Sequence, residues 1–373
     1  MLMELYTPRW QDTNEGATDG IVLRLDESTG SMPLSTVAEC YAQIYQDLDD
    51  AIGYYTESGL DRNDTEVWLP NLNVAYAIYA RAALNRQDYE TALEMAPQAR
   101  DGYPLMSNEE YVSGFCEPTS EWLFGSYADD SENMWYWTFG TQFACNGYYA
   151  SNAAYGAGDI EKELTDRMPT EDVRMSLFLT EDKFPDFDLY DGETMNLTYG
   201  FFEDEDLCSQ AQEYCASMTP AGLDEPYQSG IYYLNGQLKF WVFGSPGLSY
   251  LCHIRSSEMV LIEAEANYFL GNEAEARAAL VELNATSGRN SSYTCDKSGE
   301  DLFQEIVDYR ELELWGEGFN WYDIKRWNRD ITRKSFSEGG NCHDATATTI
   351  TASSSDWTWD IPETETDYNT DID

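Results

Sequence analysis

The stretch RSSEMVLIEAEANYFLGNEAEARAALVELNATSGRN, Arg255 to Asn290, followed at Tyr309 to Asn328 by YRELELWGEGFNWYDIKRWN, decides the fold of this chain. In the first half, Met259, Ile262, Ala266 and Phe269 recur at offsets of three and four, one apolar stripe on a helix from Glu258 to Leu270. Gly271 suits a left-handed cap that ends this helix, and Asn272 with Glu275 behind it reads as the start of the next. The second helix turns Ala276, Ala279, Leu280 and Leu283 inward. Small residues at Ala264, Gly271 and Ala276 let two antiparallel helices approach closely, and the positions 264, 271, 276 and 283 follow the tetratricopeptide spacing.

The same spacing occurs near the start of the chain. Ala80, Ala92 and Ala99 differ by 12 and 7, as Ala264, Ala276 and Leu283 do. Leu72, Ala75, Tyr76, Tyr79, Ala80 and Ala83 supply the apolar face of the first helix of that earlier pair. Gln87 stands where the glycine would be, and Pro97 should kink the second helix. A further amphipathic helix at Tyr41 to Tyr54, with Ile44, Leu48, Ala51 and Ile52 on one side, precedes the pair. Its cap is expected at Ser35 or Thr36 with Glu39 behind. The expected fold is therefore mostly α: tetratricopeptide-like helical repeats with a loop-rich, aromatic insertion carrying a few short strands.

A chain of 373 residues with 42% hydrophobic content buries a substantial core. Nothing in it approaches the roughly 18 consecutive apolar residues of a membrane span. Its opening, MLMELY, reads as the inside of a helix stopped by Pro8, which implies further helices upstream and, with them, any secretion signal or lipid anchor. The charge is far from neutral: 21 basic against 69 acidic residues give −48. Nucleic acid is excluded as a partner, since affinity for phosphate depends on Lys and Arg releasing counterions. Strongly anionic polymers and anionic membrane surfaces are disfavoured by like-charge repulsion, which acts over a screening length of about 8 Å in physiological salt.

The eight cysteines are too sparse for a small disulfide scaffold. Cys40 and Cys252 adjoin apolar stripes and read as buried thiols. Cys208 and Cys215 sit in a polar segment (LCSQAQEYC) where a local disulfide is conceivable, and Cys116 with Cys145 or Cys295 with Cys342 are further pairs that nothing in the sequence fixes. No CxxC pair or CxxC…HxxxH spacing occurs, so no zinc site is expected. His253 and His343 are far apart, outside any triad pattern, and His253 reads as capping or packing a helix start. Acidic segments at Glu203, Asp204, Glu205 and Asp206, and at Asp186, Asp188, Asp191 and Glu193, could offer carboxylates to calcium, but the second lacks the EF-hand ligand order and both read as solvated loops. No catalytic residue, metal or cofactor is assigned.

Taken together, RSSEMVLIEAEA, LN and YRELELWGEGFNWYDIKRWN resemble the C-terminal signature of the SusD/RagB family, outer-membrane glycan-binding lipoproteins of Bacteroidetes. YAQIYQDLDDAI at Tyr41 to Ile52 is similar to the family's helix entering its second repeat, and Asn71 to Leu105, ending in DGYPL, to the repeat that follows. SEWLFG at Ser120 to Gly125 resembles the strand after it, and WTWDIPETETDYN at Trp357 to Asn369 the closing proline-bearing strand. The chain departs from the family where an acidic residue before the arginine of its ER-xx-EL-xx-EG motif is replaced by Tyr309, ahead of Arg310, Glu311, Leu312, Leu314, Glu317 and Gly318. These motif residues read as structural: Arg310, Arg326, Glu317 and Asp323 pairing between helices beneath Trp315, Trp321 and Trp327, with no ligand. On this reading 1–119 is an N-terminal repeat part, 120–250 an irregular ligand-binding insertion and 251–373 the C-terminal repeat with the signature.

Within the insertion the densest aromatic run is Met134 to Tyr155. Trp135, Tyr136, Trp137, Asn146, Tyr148 and Tyr149 are the expected ligand contacts, because sugars stack apolar C–H faces on flat rings while their hydroxyls need amides and carboxylates. A second cluster, Tyr227, Tyr232, Tyr233, Phe240, Trp241 and Phe243, reads as strand and core packing. The resemblance implies a non-enzymatic protein at the extracellular face of the outer membrane, anchored only through a lipid that this chain does not carry, that passes oligosaccharide to a SusC-like TonB-dependent transporter. The charge favours neutral glycans. Other readings are oligopeptide capture in the manner of RagB, an all-helical secreted polysaccharide-acting enzyme with two carboxylates about 5–10 Å apart across a cleft, and a helical-repeat adaptor for proteins.

Overall fold

The computed structural model describes all residues except 64, 130, 132–136, 149–157, 227–230, 245–246 and 373. Among the described residues, thirteen α-helices and six short strands succeed one another, so the expectation of a mostly helical chain is met. A short α1 (Leu2–Tyr6) ends before Pro8 and is followed by α2 (Val37–Ser58). Thr36 caps α2: its side chain accepts from Glu39 N at 3.2 Å while the Glu39 carboxylate accepts from Thr36 N at 2.8 Å, a reciprocal capping box. Next comes the first repeat pair, α3 (Leu72–Arg86) and α4 (Tyr89–Ala99). Gln87 takes the left-handed conformation between them, φ 63°, as a residue in the glycine's place must. Ala77, Ala80, Ala83, Ala92, Ala96 and Ala99 are fully buried, so the two helices meet across small side chains.

Between the repeats lie α5 (Asn108–Tyr111), β1 (Trp122–Ser126), α6 (Phe139–Phe143), α7 (Lys162–Thr165), the β2 (Met195–Asn196) and β3 (Phe201–Phe202) pair, and α8 (Glu205–Ser217). β4 (Leu251–Arg255) returns antiparallel to β1 and leads into the second repeat, α9 (Ser256–Phe269) and α10 (Glu273–Val281). Gly271 has φ +81°, the left-handed cap expected there, whereas Asn272 occupies the N-cap of α10 without a side-chain hydrogen bond. The signature forms α11 (Gly299–Glu313) and α12 (Asn320–Trp327). After them come the antiparallel pair β5 (Ile331–Arg333) and β6 (Thr348–Ile350), then α13 (Glu363–Thr366). The tail is thus a helical turn after Trp357 rather than the proline-bearing strand the resemblance implied, because Pro362 opens a turn whose first carbonyls are taken within it.

The largest core cluster joins the middle of the chain to the second repeat and the signature, while α3 and α4 pack in a separate cluster against Met259 and Ile262 of α9. Met106 and Tyr111, Ile160 and Phe178 from the middle, and Val260, Leu280, Ile306 and Leu312 from the second repeat and signature pack into one cluster. The first and last segments close on each other: Trp359 N donates to Leu5 O at 2.8 Å, and Lys325 Nζ to Glu4 O and Thr7 O at 2.6 and 2.8 Å. Burial lowers the Lys325 amine to about 8, so these carbonyls bind it as a donor as much as a charge. No helix among the described residues is long and apolar enough to cross a membrane.

Four local expectations change. The segment holding Cys208 and Cys215 is α8, not a loop; two helical turns set their Cα atoms about 10 Å apart, beyond the roughly 4.4–6.8 Å a disulfide spans. All eight cysteines are free thiols. Asp204 is the N-cap of α8, accepting from Asp206 N and Leu207 N at 2.9 Å each, and Asp188 and Asp191 cap turns at Tyr190 N and Glu193 N. His253 stands on β4, outside any helix start, with Nε2 2.6 Å from Ser126 Oγ. Cys252, on the same strand, is only half-buried.

Candidate functional site

A buried cluster of charges fixes the geometry on which any surface site depends. Arg255, at the junction of β4 and α9, donates to Glu121 at 2.8 Å, Glu313 at 2.6 Å and Glu317 at 2.8 Å. Arg174 pairs with Asp172 at 2.6 Å and Glu313 at 2.9 Å, Lys239 Nζ reaches Glu317 at 2.7 Å, and Arg289 lies 3.6 Å from Glu121. Four cations thus face four carboxylates, so the cluster is neutral as a unit and each charge is paired, the condition under which burial is tolerable. Burial alone would raise the Glu313 carboxyl, but Arg255, Arg289 and Arg174 outweigh it and hold it far below the usual range. Burial depresses the Lys239 amine despite Glu317 beside it.

The sequence pattern groups Glu317 with Arg310 and Arg326. Instead Glu317 belongs to the Arg255 cluster, and a second set binds the helices: Arg310 Nε to Asp323 at 2.6 Å, Arg326 Nε to Asp323 at 2.9 Å, and Arg326 to Glu265 at 2.7 Å. Glu317 goes to Arg255 because it follows the turn at Gly316, which carries it away from the α11 face that holds Arg310. Trp327 Nε1 donates to Glu265 at 3.0 Å. Tyr309, in place of the family's acid, puts its ring 5.0 Å from the Arg174 guanidinium and so answers the positive charge with its π face.

Among the described residues, rings of the insertion's aromatic segment reach the surface. Trp137 is 80% exposed and Tyr148 49% exposed, an unusual placement for rings this large. Asn146 is occupied by the backbone: its amide donates to Asp224 O at 3.1 Å and Val242 O at 3.0 Å, and its carbonyl accepts from Val242 N at 2.8 Å, so it braces the chain beneath the rings. Trp135, Tyr136 and Tyr149 lie outside the described residues. Thr138 Oγ1 donates to Gly247 O at 2.9 Å, tying the Trp137 segment to the loop that ends at Tyr250.

At that loop's end, Tyr250 joins a group of rings that the sequence did not bring together. Trp68, from the segment between α2 and α3, meets Tyr127 edge-on at 4.7 Å and lies 6.4 Å from Tyr250, which in turn is 6.0 Å from Tyr127 and from Phe243. The four rings are drawn from three separate stretches, so no window of sequence showed them as a group. Only the lone tryptophan amid the Asp, Asn and Pro of 61–73 hinted at Trp68. In the second cluster, Tyr232, Phe240 and Trp241 are core as expected, although isolated bridges rather than a strand hold that segment, and Tyr227 lies outside the described residues. Aromatic planes beside Asp129 and backbone polar groups can stack an apolar ligand face and hydrogen-bond its edge.

Residues 243–372 match the SusD family. The whole chain superposes on a SusD-like carbohydrate binding protein from Bacteroides vulgatus ATCC 8482 at 19% identity and TM-score 0.70, covering 73% of that protein. A SusD superfamily protein from Bacteroides thetaiotaomicron VPI-5482 matches over the whole chain at 23% identity and TM-score 0.66, with 74% of its length covered. Another SusD superfamily protein from Bacteroides vulgatus ATCC 8482 gives 21% identity and TM-score 0.70, again over the whole chain and 73% of its own length. No curated protein matches the sequence. The C-terminal third of the chain thus matches the SusD family, and its full length shares the fold of SusD-like proteins.

Proposed function

We propose that this is a non-catalytic glycan-binding protein of the outer cell surface that captures oligosaccharide for a SusC-like TonB-dependent transporter. The observation that carries the reading is the set of exposed rings Trp137, Tyr148 and Tyr127, the last with half-buried Trp68 and Tyr250 packed against it, and with Asn146 bracing the backbone nearby. Flat exposed rings stack the C–H faces of pyranoses whatever the linkage, and hydroxyls find acceptors at the rim. The carbohydrate-binding relative with the same fold supports this ligand class. A net charge of −48 repels uronate and sulfated polymers, so the ligand is a neutral glycan. Titration of the protein with neutral hexasaccharides and with polygalacturonate tests the reading. Binding of at least one neutral glycan, weakened tenfold or more by Trp137→Ala, is expected; binding of polyanions alone contradicts it.

A further inference from the structure

A cleft of about 540 Å³ opens between α11–α12 on one side and the 158–164 segment on the other, apart from the Trp68 group. One wall is aromatic: Phe143 stacks on Trp315 at 5.8 Å with planes 24° apart, and Phe139 leans on Phe143 at 4.9 Å. The opposite lining is polar and incompletely paired. Arg310 is 2% exposed and its Nη1 finds no hydrogen-bond partner among the described residues, although Nε is held by Asp323. Trp321 Nε1 and Glu161 Oε1, also buried and lining the cleft, have none either. Asp159 and Glu311 complete the lining. Asp159 opens onto the cleft and accepts from Asn341 at 2.7 Å, while Glu311 is half-buried behind it.

These groups select a ligand by elimination. An anion would meet Asp159, Glu161, Glu311 and Asp323, which outnumber Arg310 and Arg333 in the lining, and a simple cation would leave the Arg310 and Trp321 donors unanswered. A purely apolar molecule would leave two donors and an acceptor dry, each costing about 1–3 kcal/mol. What satisfies all of them is an uncharged ligand with an apolar face and both hydrogen-bond donors and acceptors on its edge. Desolvation in the lining raises the Asp159 and Glu311 carboxyls to about 6 and about 7, so near neutral pH Asp159 stays mostly ionised and Glu311 is close to its midpoint. A cavity of this size suits one or two sugar rings.

We propose that this cleft is a second saccharide site, separate from the outer aromatic face, that encloses a neutral mono- or disaccharide end against Phe143 and Trp315, with its hydroxyls accepting from Arg310 and Trp321 and donating to Glu161. For its ligand class the inference rests on the glycan reading above. It also gives the signature segment a contact with ligand that its sequence did not suggest.

The test is a set of crystals soaked with neutral disaccharides (maltose, cellobiose, xylobiose, mannobiose) and the matching hexasaccharides, with titrations in solution of the same sugars. Density for a disaccharide in the cleft is expected, together with a five- to tenfold loss of disaccharide affinity in Trp321→Phe, which keeps the ring and removes the donor. Sugar found only on the outer face, with Trp321→Phe and Glu161→Gln binding every disaccharide as the wild type does, overturns the cleft and leaves the glycan reading standing. Failure of every sugar to bind overturns both.

Discussion

The scaffold and the insertion solve opposite problems with the same residue types. In the scaffold, charge is inside: Arg255, Arg174, Arg289 and Lys239 are buried against Glu121, Asp172, Glu313 and Glu317, and apolar contact comes from small alanines. The middle of the chain lends four of those buried charges, Glu121, Asp172, Arg174 and Lys239, yet turns the large rings of Trp137, Tyr127 and Tyr148 outside. A surface that turns rings to water is built for contact with something else, and it can do so only if another part of the molecule holds it in place. Glu121 and Asp172, which belong to the middle of the chain, reach into the scaffold's charge cluster and supply that hold.

The comparison is broken most severely at its buried end. Glu313→Ala leaves Arg255 and Arg174 without a shared carboxylate and should cost about 3–5 kcal/mol in denaturant unfolding. A loss below about 1 kcal/mol would mean that the cluster does not hold the fold. Glu311→Gln tests charge at the edge of the cleft. In the folded protein burial and the nearby Asp308 and Glu161 raise Glu311 from 4.5 to about 7, so the stability of its neutral form is present below about 4.5 and lost as pH rises through 7. At pH 8 Glu311→Gln should therefore be more stable than the wild type, by up to about 3 kcal/mol, and equal to it near pH 4. Equal melting temperatures at both pH values would refute this. A smaller effect belongs to Thr36→Ala, which removes the α2 capping box for about 1 kcal/mol; thermal unfolding should register it as a shift of a few degrees. Least of all should Trp137→Ala change stability, within about 0.5 kcal/mol, because the ring is 80% exposed.

Legibility in the sequence follows the same division. Helical repeats are local: Ala80, Ala92 and Ala99, the Gln87 turn and the Thr36–Glu39 cap each depend on residues a few positions apart, and all stand where the spacing put them. The charge cluster is not local, since Glu121 and Arg255 are 134 residues apart, so the sequence named Arg310 and Asp323 correctly yet sent Glu317 to the wrong partner. The aromatic face was half legible for the same reason. Trp137 and Tyr148 stood out by density along the chain, whereas Trp68 joins Tyr127 only through the fold. Asn146 shows the limit of composition as a guide, because an amide among rings can serve the backbone as readily as a ligand. The cysteines of α8 were misplaced because a helix of polar residues carries little apolar periodicity to announce it.

The central claim, that the outer rings are there to bind neutral glycan, is tested most directly by calorimetric titration of the wild type and Trp137→Ala with the neutral hexasaccharide that binds best. The account predicts a loss of affinity of tenfold or more, about 1.4 kcal/mol, at an unchanged melting temperature. Unchanged affinity with the ring removed would contradict it.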